Sequence, residues 1–188
     1  MSTNPKRLYS LEEYFEIEKN SDIKHEFIYG EVFAMSGASP NHNRIAAAIG
    51  SQLDQQLVDT TCEAFINDLR TKTHNQIYKY PDVVVACDPR FQTIRGLESL
   101  TNPILIVEVL SRTTENFDQE GKFQEYQQID SLRYYLLVAQ NEVSATLLIR
   151  EDNNTWTSQS FNTLDDVIAL PAINCSLTMR RTYLRVQF

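Results

Sequence analysis

Two carboxylates stand beside or within apolar segments that are typical of buried strands. Asp82 directly precedes the run VVVAC, and Glu108 lies inside the segment PILIVEVLS, residues 103–111. Moving an isolated carboxylate into a low-dielectric interior is costly even after the protein relaxes. Glu108 must therefore stay protonated, pair with a cation, or lie near the end of its strand, where α/β sheets bind ligands. The last two options go together.

Two acids on neighbouring strands would repel each other unless a positive group lay between them. Oxygen ligands suit a hard cation such as Mg²⁺ or Mn²⁺, which binds one or two protein carboxylates and keeps several waters. The histidines, His25, His42 and His74, do not have zinc-site spacing. The acid pair therefore favours Mg²⁺ or Mn²⁺ over zinc.

Lys122 lies in the segment FDQEGKFQEY, which follows the Glu108 strand and is predicted to be helical. An ammonium group near a metal-bound water could orient that water or favour its hydroxide form. Asp118 and Tyr126 stand at i−4 and i+4 and could steer the ammonium toward the strands. Spacing alone, however, favours an ordinary exposed helix lysine.

The elements that must position these residues alternate between helices and strands. Ser10 and Glu13 have capping-box spacing and predict a first helix, and Ser39 with Pro40 predicts the start of a second. A third helix is predicted for TTENFDQEGKFQEYQQI, and the tail SLTMRRTYLRVQF is ambiguous. Strands are predicted for KHEFIYGEVFAM, CEAFIND, NQIYKY, PDVVVACD, PILIVEVLS, LRYYLLVA, VSATLLIR and TWTSQSF. This order predicts an α/β fold, with a central mixed β-sheet flanked by helices.

The overall composition predicts one domain, residues 1–188, in a soluble protein. A net charge of −8 argues against sequence-indifferent coating of nucleic acid, which depends on many Lys and Arg contacts. Cys62, Cys87 and Cys175 contain no CxxC pair, so we expect reduced thiols and a cytoplasmic location. No apolar run has the length of a membrane span or a secretory signal, so no membrane association is expected.

The segments PDVVVACD, PILIVEVLS and DQEGKFQEY, in this order, resemble the Uma-two family of restriction endonucleases, within the PD-(D/E)xK nuclease superfamily. HEFIYGEVFAMSGASPNHNRI resembles the N-terminal segment of that family, and LRYYLLV resembles the strand after the lysine helix. The resemblance covers about Leu11 to Val138. It implies a restriction-endonuclease-like fold and a metal-dependent DNA endonuclease.

The resemblance also implies a role for individual residues. Asp82 and Glu108 would bind Mg²⁺ or Mn²⁺, the Val109 carbonyl would be a backbone ligand, Lys122 would orient the attacking water, and Glu26 would be an additional acid. The sequence departs from the usual superfamily motif, since Leu110 occupies the position two residues after the Glu where the lysine normally stands. In Uma-two-type sequences the lysine has moved to the following helix. Gln119 and Arg112 replace an Arg and a Pro that are frequent in the family.

Several alternatives stay open at the level of sequence. Glu31 competes with Glu26 as the supporting acid, and His42 is a capping or surface residue or a phosphate contact near a helix N-terminus. The basic cluster Arg180, Arg181 and Arg185 favours a solvated face over DNA backbone contact. A catalytically inactive nucleic-acid-binding or protein-interaction module with the nuclease fold is the alternative function. A homodimer is plausible, because a nuclease that cuts both strands benefits from two sites.

Overall fold

The computed structural model of the chain describes residues 7–110 and 121–188. The helices are α1 (Leu11–Asn20), α2 (Pro40–Leu57), α3 (Phe123–Tyr126) and α4 (Met179–Thr182), with a 3₁₀ turn at Pro171–Ile173. The strands are β1 (His25–Ile28), β2 (Glu31–Ala34), β3 (Cys62–Ile66), β4 (Thr71–His74), β5 (Ile77–Lys79), β6 (Val83–Cys87), β7 (Phe91–Ile94), β8 (Leu97–Leu100), β9 (Leu105–Leu110), β10 (Tyr134–Ala139), β11 (Ala145–Arg150), β12 (Trp156–Phe161), β13 (Val167–Leu170) and β14 (Cys175–Thr178).

Two six-stranded sheets dominate the described part of the chain. The N-terminal sheet has the order β2-β1-β5-β4-β8-β7, and the central sheet has the order β12-β11-β10-β9-β6-β3. The central sheet is mixed, because β9 pairs parallel with β10 and antiparallel with β6. The α/β class is confirmed. The predicted central mixed sheet is present. The second, N-terminal sheet was not predicted, and three of its strands, β4, β7 and β8, are only four residues long.

Strand β9 is covered on both faces, as its continuous apolar sequence predicts. Its residue Val107 belongs to the core that includes the apolar stripe of α2 at Ile45, Ile49 and Leu53. Ile106, which points to the opposite face, belongs to a second core with Tyr126 of α3 and Tyr135 of β10. Glu108 therefore lies on a strand that is packed between two apolar cores.

The predicted helix starts and the hairpin turn are present. Ser10 forms both hydrogen bonds of the capping box with Glu13, and Ser39 caps α2, with Pro40 as its first residue. Gly30, at a φ of 89°, forms the turn between β1 and β2, a conformation that glycine adopts without steric cost. The ambiguous tail continues as strand β14 and then helix α4.

The cysteines depart from expectation. Antiparallel pairing of β3 with β6 places Cys62 directly opposite Cys87, and their sulfur atoms form a disulfide. The prediction of three reduced thiols is therefore wrong for this pair and holds for the buried Cys175. Sequence spacing could not show the pair, because the two residues are brought together only by the strand register. No helix in the described ranges is long and apolar enough to cross a bilayer.

Candidate active site

The two predicted acids meet at the edge of the central sheet where β6 begins and the neighbouring antiparallel strand β9 ends. The antiparallel register pairs Val83 with Val107, so the next positions outward are Asp82 on one strand and Glu108 on the other. The Val109 N–H donates a hydrogen bond of 2.7 Å to Oδ2 of Asp82. The fold thus brings together two carboxylates that are 26 residues apart in the sequence.

Glu108 is buried and held at both carboxylate oxygens. Oε1 accepts a hydrogen bond of 2.6 Å from the Tyr126 hydroxyl, and Oε2 lies 3.2 Å from Nζ of Lys122. Burial raises the pKa of Glu108 above its ordinary value, and the charges of Asp82 and Glu26 add to that effect, whereas Lys122 and Tyr126 oppose it. Of the three options that the sequence left for this carboxylate, the structure provides a cationic partner at the end of the strand.

Glu26 approaches the same acids from the N-terminal sheet. It lies on β1 and lines the cleft, and its negative charge contributes to the raised pKa of Glu108. Its rival Glu31 is not among the described residues that line the cleft. The position of Glu26 is therefore compatible with a supporting role, which stays a prediction.

A cleft of about 950 Å³ contains all of the predicted site residues. One wall comes from β1, β2 and the segment around residue 37, and the other comes from the ends of β6 and β9. The described residues that line it are Asp22, Ile23, Lys24, Glu26, Phe33, Ala34, Met35, Ser36, Gly37, Ala38, Ser39, His42, Asn43, Asn67, Asp68, Tyr80, Asp82, Glu108, Val109, Lys122 and Gln140.

His42 is a site residue to which sequence analysis gave no definite role. Its Nε2 lies 3.2 Å from Oδ2 of Asp82, and its backbone N–H donates to the Ser39 hydroxyl at 3.1 Å. Burial lowers the pKa of His42, but the hydrogen bond to Asp82 and the charges of Asp82 and Glu108 outweigh burial and raise the pKa overall. The Ser-Pro helix start was the available signal, since it places His42 in the first turn of α2.

Gln140 closes a ring of hydrogen bonds that the sequence did not reveal. Its Nε2 donates to the Leu110 carbonyl at 3.0 Å, and its Oε1 accepts a short hydrogen bond from the Ser39 hydroxyl. Ser39 in turn holds the backbone of His42, whose ring contacts Asp82. We call this set, Ser39, His42, Asp82, Val109, Leu110 and Gln140, the cleft ring. It fixes the Asp82 carboxylate from both a strand and a helix.

The oxygen donors of this cleft fit a hard divalent cation. Asp82, Glu108 and a neighbouring backbone carbonyl would provide the few protein ligands that Mg²⁺ accepts beside its waters. Within residues 7–110 and 121–188, no group of three or more His, Cys, Asp or Glu side chains is arranged to hold a metal ion by itself. The Val109 N–H donates a hydrogen bond to Asp82. The role of the Val109 carbonyl as a metal ligand stays a prediction.

The remaining sequence candidates fall into two groups. Arg112, Asp118 and Gln119 lie outside the described residues. In the basic cluster, Arg180 pairs with Asp165 on the surface, and Arg181 donates to Oε1 of Gln55 at 3.2 Å. These exposed contacts agree with the solvated face that the sequence favoured.

Comparison with solved structures defines the class of fold. A crystal structure described as a "putative nuclease belonging to DUF820" from Anabaena variabilis ATCC 29413 matches with a TM-score of 0.75. The match covers 94% of this chain and 98% of the other at 15% sequence identity. The chain therefore shares the α/β fold of that protein, as predicted.

The family follows from the sequence comparisons. Residues 11–181 match the Uma2 family model, described as "Putative restriction endonuclease", and the chain belongs to this family. The uncharacterized protein slr1290 of Synechocystis sp. is 34% identical over 180 residues, covering 95% of this chain and 93% of its own. A second Synechocystis protein, sll1609, is 38% identical over 136 residues, which is 71% of this chain and 76% of that protein. The resemblance inferred from the motifs is confirmed.

Proposed function

We propose that the chain hydrolyses phosphodiester bonds in DNA and that Asp82 and Glu108, with the Val109 carbonyl, hold Mg²⁺ or Mn²⁺. The observation that carries the proposal is the meeting of two acids from adjacent strands with the Lys122 ammonium in one cleft. When bound, the ion would polarise the scissile phosphate and lower the pKa of a coordinated water. Membership of a family described as a restriction endonuclease supports the choice of DNA.

Lys122 acts in this proposal as the group that orients the attacking water and offsets negative charge developing on the phosphate. It is the N-cap residue of α3, and its ammonium already lies 3.2 Å from Oε2 of Glu108. The Tyr126 hydroxyl holds the other oxygen of Glu108, so the carboxylate is oriented before substrate arrives. Glu26 faces the same cleft and would position water or assist the cation.

The direct test is cleavage of labelled DNA with and without Mn²⁺. We expect cleavage that requires the ion and that falls at least about 100-fold in Glu108→Gln. The matched control is Glu63→Gln, because Glu63 is an exposed residue of β3 away from the cleft. If Glu108→Gln cleaves DNA at the rate of the parent, the metal-binding role assigned to Glu108 is wrong.

A binding module without chemistry is the second candidate. It is favoured by the predominance of carboxylates over lysines among the residues that line the cleft and by the net charge of −8. Such a module would bind a protein partner and would not cut DNA with any ion. Calorimetric titration with Mn²⁺ separates the two candidates, since only the enzyme requires a response to the ion.

A further inference from the structure

The N-terminal wall of the cleft is apolar and exposed. In β1 and β2, Glu26 pairs with Phe33, and directly paired residues of antiparallel strands project on the same face. Met35 continues that face, because its N–H donates to the Lys24 carbonyl. Phe33 is 41% exposed, Met35 is 38% exposed and Ile23, just before β1, is 56% exposed. We call Ile23, Phe33 and Met35 the apolar wall.

The charges that line the cleft are poorly suited to a DNA duplex. Its described lining has the carboxylates of Asp22, Glu26, Asp68, Asp82 and Glu108, but only two ammonium groups and no guanidinium. Both ammonium groups are engaged, since Lys24 pairs with Asp68 and Lys122 pairs with Glu108. A bound divalent ion would offset two of these negative charges. A duplex is normally held through several Lys or Arg contacts to its two phosphate backbones.

The basic cluster does not supply the missing positive charge. Arg181 contacts Gln55, which lies thirteen residues after His42 in α2. At 1.5 Å per residue this separates the cluster from the cleft end of the helix by roughly 20 Å. Among the described residues, the cleft therefore offers few cationic contacts to a phosphate backbone.

We infer that, if the chain is the nuclease proposed above, its cleft takes an unpaired nucleotide strand rather than a closed duplex. The face of an unpaired base would pack on the apolar wall while the adjoining phosphate reaches Asp82 and Glu108. Aromatic side chains stack with any base, because every base has a π-face, and this stacking adds affinity that does not come from phosphate pairing. Cutting one strand at a time also does not require the homodimer that cutting a duplex would favour.

The first experiment compares one labelled oligonucleotide in single-stranded, fully paired and centrally unpaired forms. Binding is measured by fluorescence anisotropy with the Glu108→Gln protein, so the result does not depend on cleavage. We expect the single strand and the unpaired bubble to bind at least about tenfold more tightly than the duplex. Equal or tighter binding of the duplex would overturn the inference.

The same three substrates are then given to the parent protein with Mn²⁺. Cuts confined to unpaired nucleotides support the inference, and equal or faster cutting of the duplex contradicts it. If no substrate is cleaved, the proposed nuclease activity is contradicted. The anisotropy result would still show whether the cleft prefers a single strand or a duplex. The two failures are therefore distinguishable.

The apolar wall itself is tested with substitutions at exposed positions. Ile23→Ser combined with Met35→Ser should weaken binding of the single strand about fivefold or more, with an unchanged melting temperature. Val58→Ser is the matched control, since Val58 is an exposed apolar residue just after α2. A strand with abasic nucleotides should bind the parent as weakly as the intact strand binds the double variant. Unchanged binding in both comparisons would show that the wall does not hold a base.

Discussion

Two buried carboxylates, Glu18 and Glu108, have different surroundings in this fold. The Glu18 side chain is 3% exposed and that of Glu108 is 9% exposed. Glu18 accepts hydrogen bonds from the His25 N–H at 2.8 Å and the Tyr80 hydroxyl at 2.5 Å. It also lies 3.6 Å from the guanidinium of Arg70. Glu108 likewise has a cation and a tyrosine hydroxyl, but burial raises its pKa and the nearby charges of Asp82 and Glu26 raise it further.

The difference indicates what each cluster does. Glu18 is matched by Arg70, which is itself fixed to Ser99 and the Glu98 carbonyl, so this cluster ties α1 to the N-terminal sheet. Among its described lining residues, the cleft has more carboxylates than its lysines balance. An excess of like charge in a buried site opposes folding, and such arrangements are typical of functional sites. The Glu18 cluster therefore has the balanced charges of a structural site, whereas the uncompensated carboxylates of the cleft agree with the cation site proposed above.

The largest effect should follow from removing a cleft carboxylate. Asp82→Asn should reduce Mn²⁺-dependent cleavage at least about 100-fold, while the free energy of unfolding without metal stays the same or rises because repulsion with Glu108 is relieved. Cleavage assays and urea denaturation measure the two effects. Asp54→Asn, at an exposed position of α2, should leave both unchanged. An Asp82→Asn protein that is less stable but still cleaves DNA would show that Asp82 has a structural role and not a functional one.

The next largest effect should be on stability, at Glu18. Glu18→Ala leaves the buried Arg70 guanidinium without its carboxylate, a change that typically costs about 3 kcal/mol or more. Urea denaturation should show this loss, whereas Glu16→Ala, which removes an exposed ion pair of the same helix, should change little. If Glu18→Ala unfolds at the same urea concentration as the parent, this cluster does not have the structural role given to it.

A smaller effect is expected from the cleft ring. Gln140→Leu removes the hydrogen bonds to Ser39 and Leu110 without removing an acid. Loss of groups that orient metal ligands typically weakens metal binding about 10- to 100-fold. Isothermal titration with Mn²⁺ should show this weakening, and Gln159→Leu on the exposed face of β12 should bind normally. Unaltered Mn²⁺ affinity in Gln140→Leu would mean that the ring does not orient Asp82.

The smallest effect is a pH dependence caused by Glu108. Its pKa is raised in the folded protein from an ordinary value of 4.5, so above pH 4.5 the folded state retains a proton that the unfolded state has released. The metal-free parent must then lose stability as the pH rises through this window. Glu108→Gln should lack this loss, and urea denaturation at a series of pH values measures it. Parallel stability curves for the two proteins above pH 4.5 would contradict the raised pKa.

The sequence predicted the parts of the site that depend on local patterns. Asp82 and Glu108 were identified because each interrupts or borders an apolar strand, and β6 and β9 are indeed neighbours. The Ser39 and Pro40 helix start was also readable. Lys122 required the family resemblance, because helical spacing alone describes an exposed lysine.

The remaining features depend on contacts between distant segments. Ser39 and Gln140 are 101 residues apart, and Glu18 and Tyr80 are 62 residues apart, so no local pattern connects them. Strands β4, β7 and β8 are only four residues long, and they form strands by pairing in the N-terminal sheet. Cys62 and Cys87 become partners only through the register of β3 and β6.

The most direct test of the excess-carboxylate site is calorimetric titration of Mn²⁺ into four proteins: the parent, Asp82→Asn, Glu108→Gln and the control Glu63→Gln. We expect the parent and Glu63→Gln to bind the ion with the same affinity, and both cleft variants to lose measurable binding. Equal binding by all four proteins, or no binding by the parent, would contradict a cation site at Asp82 and Glu108.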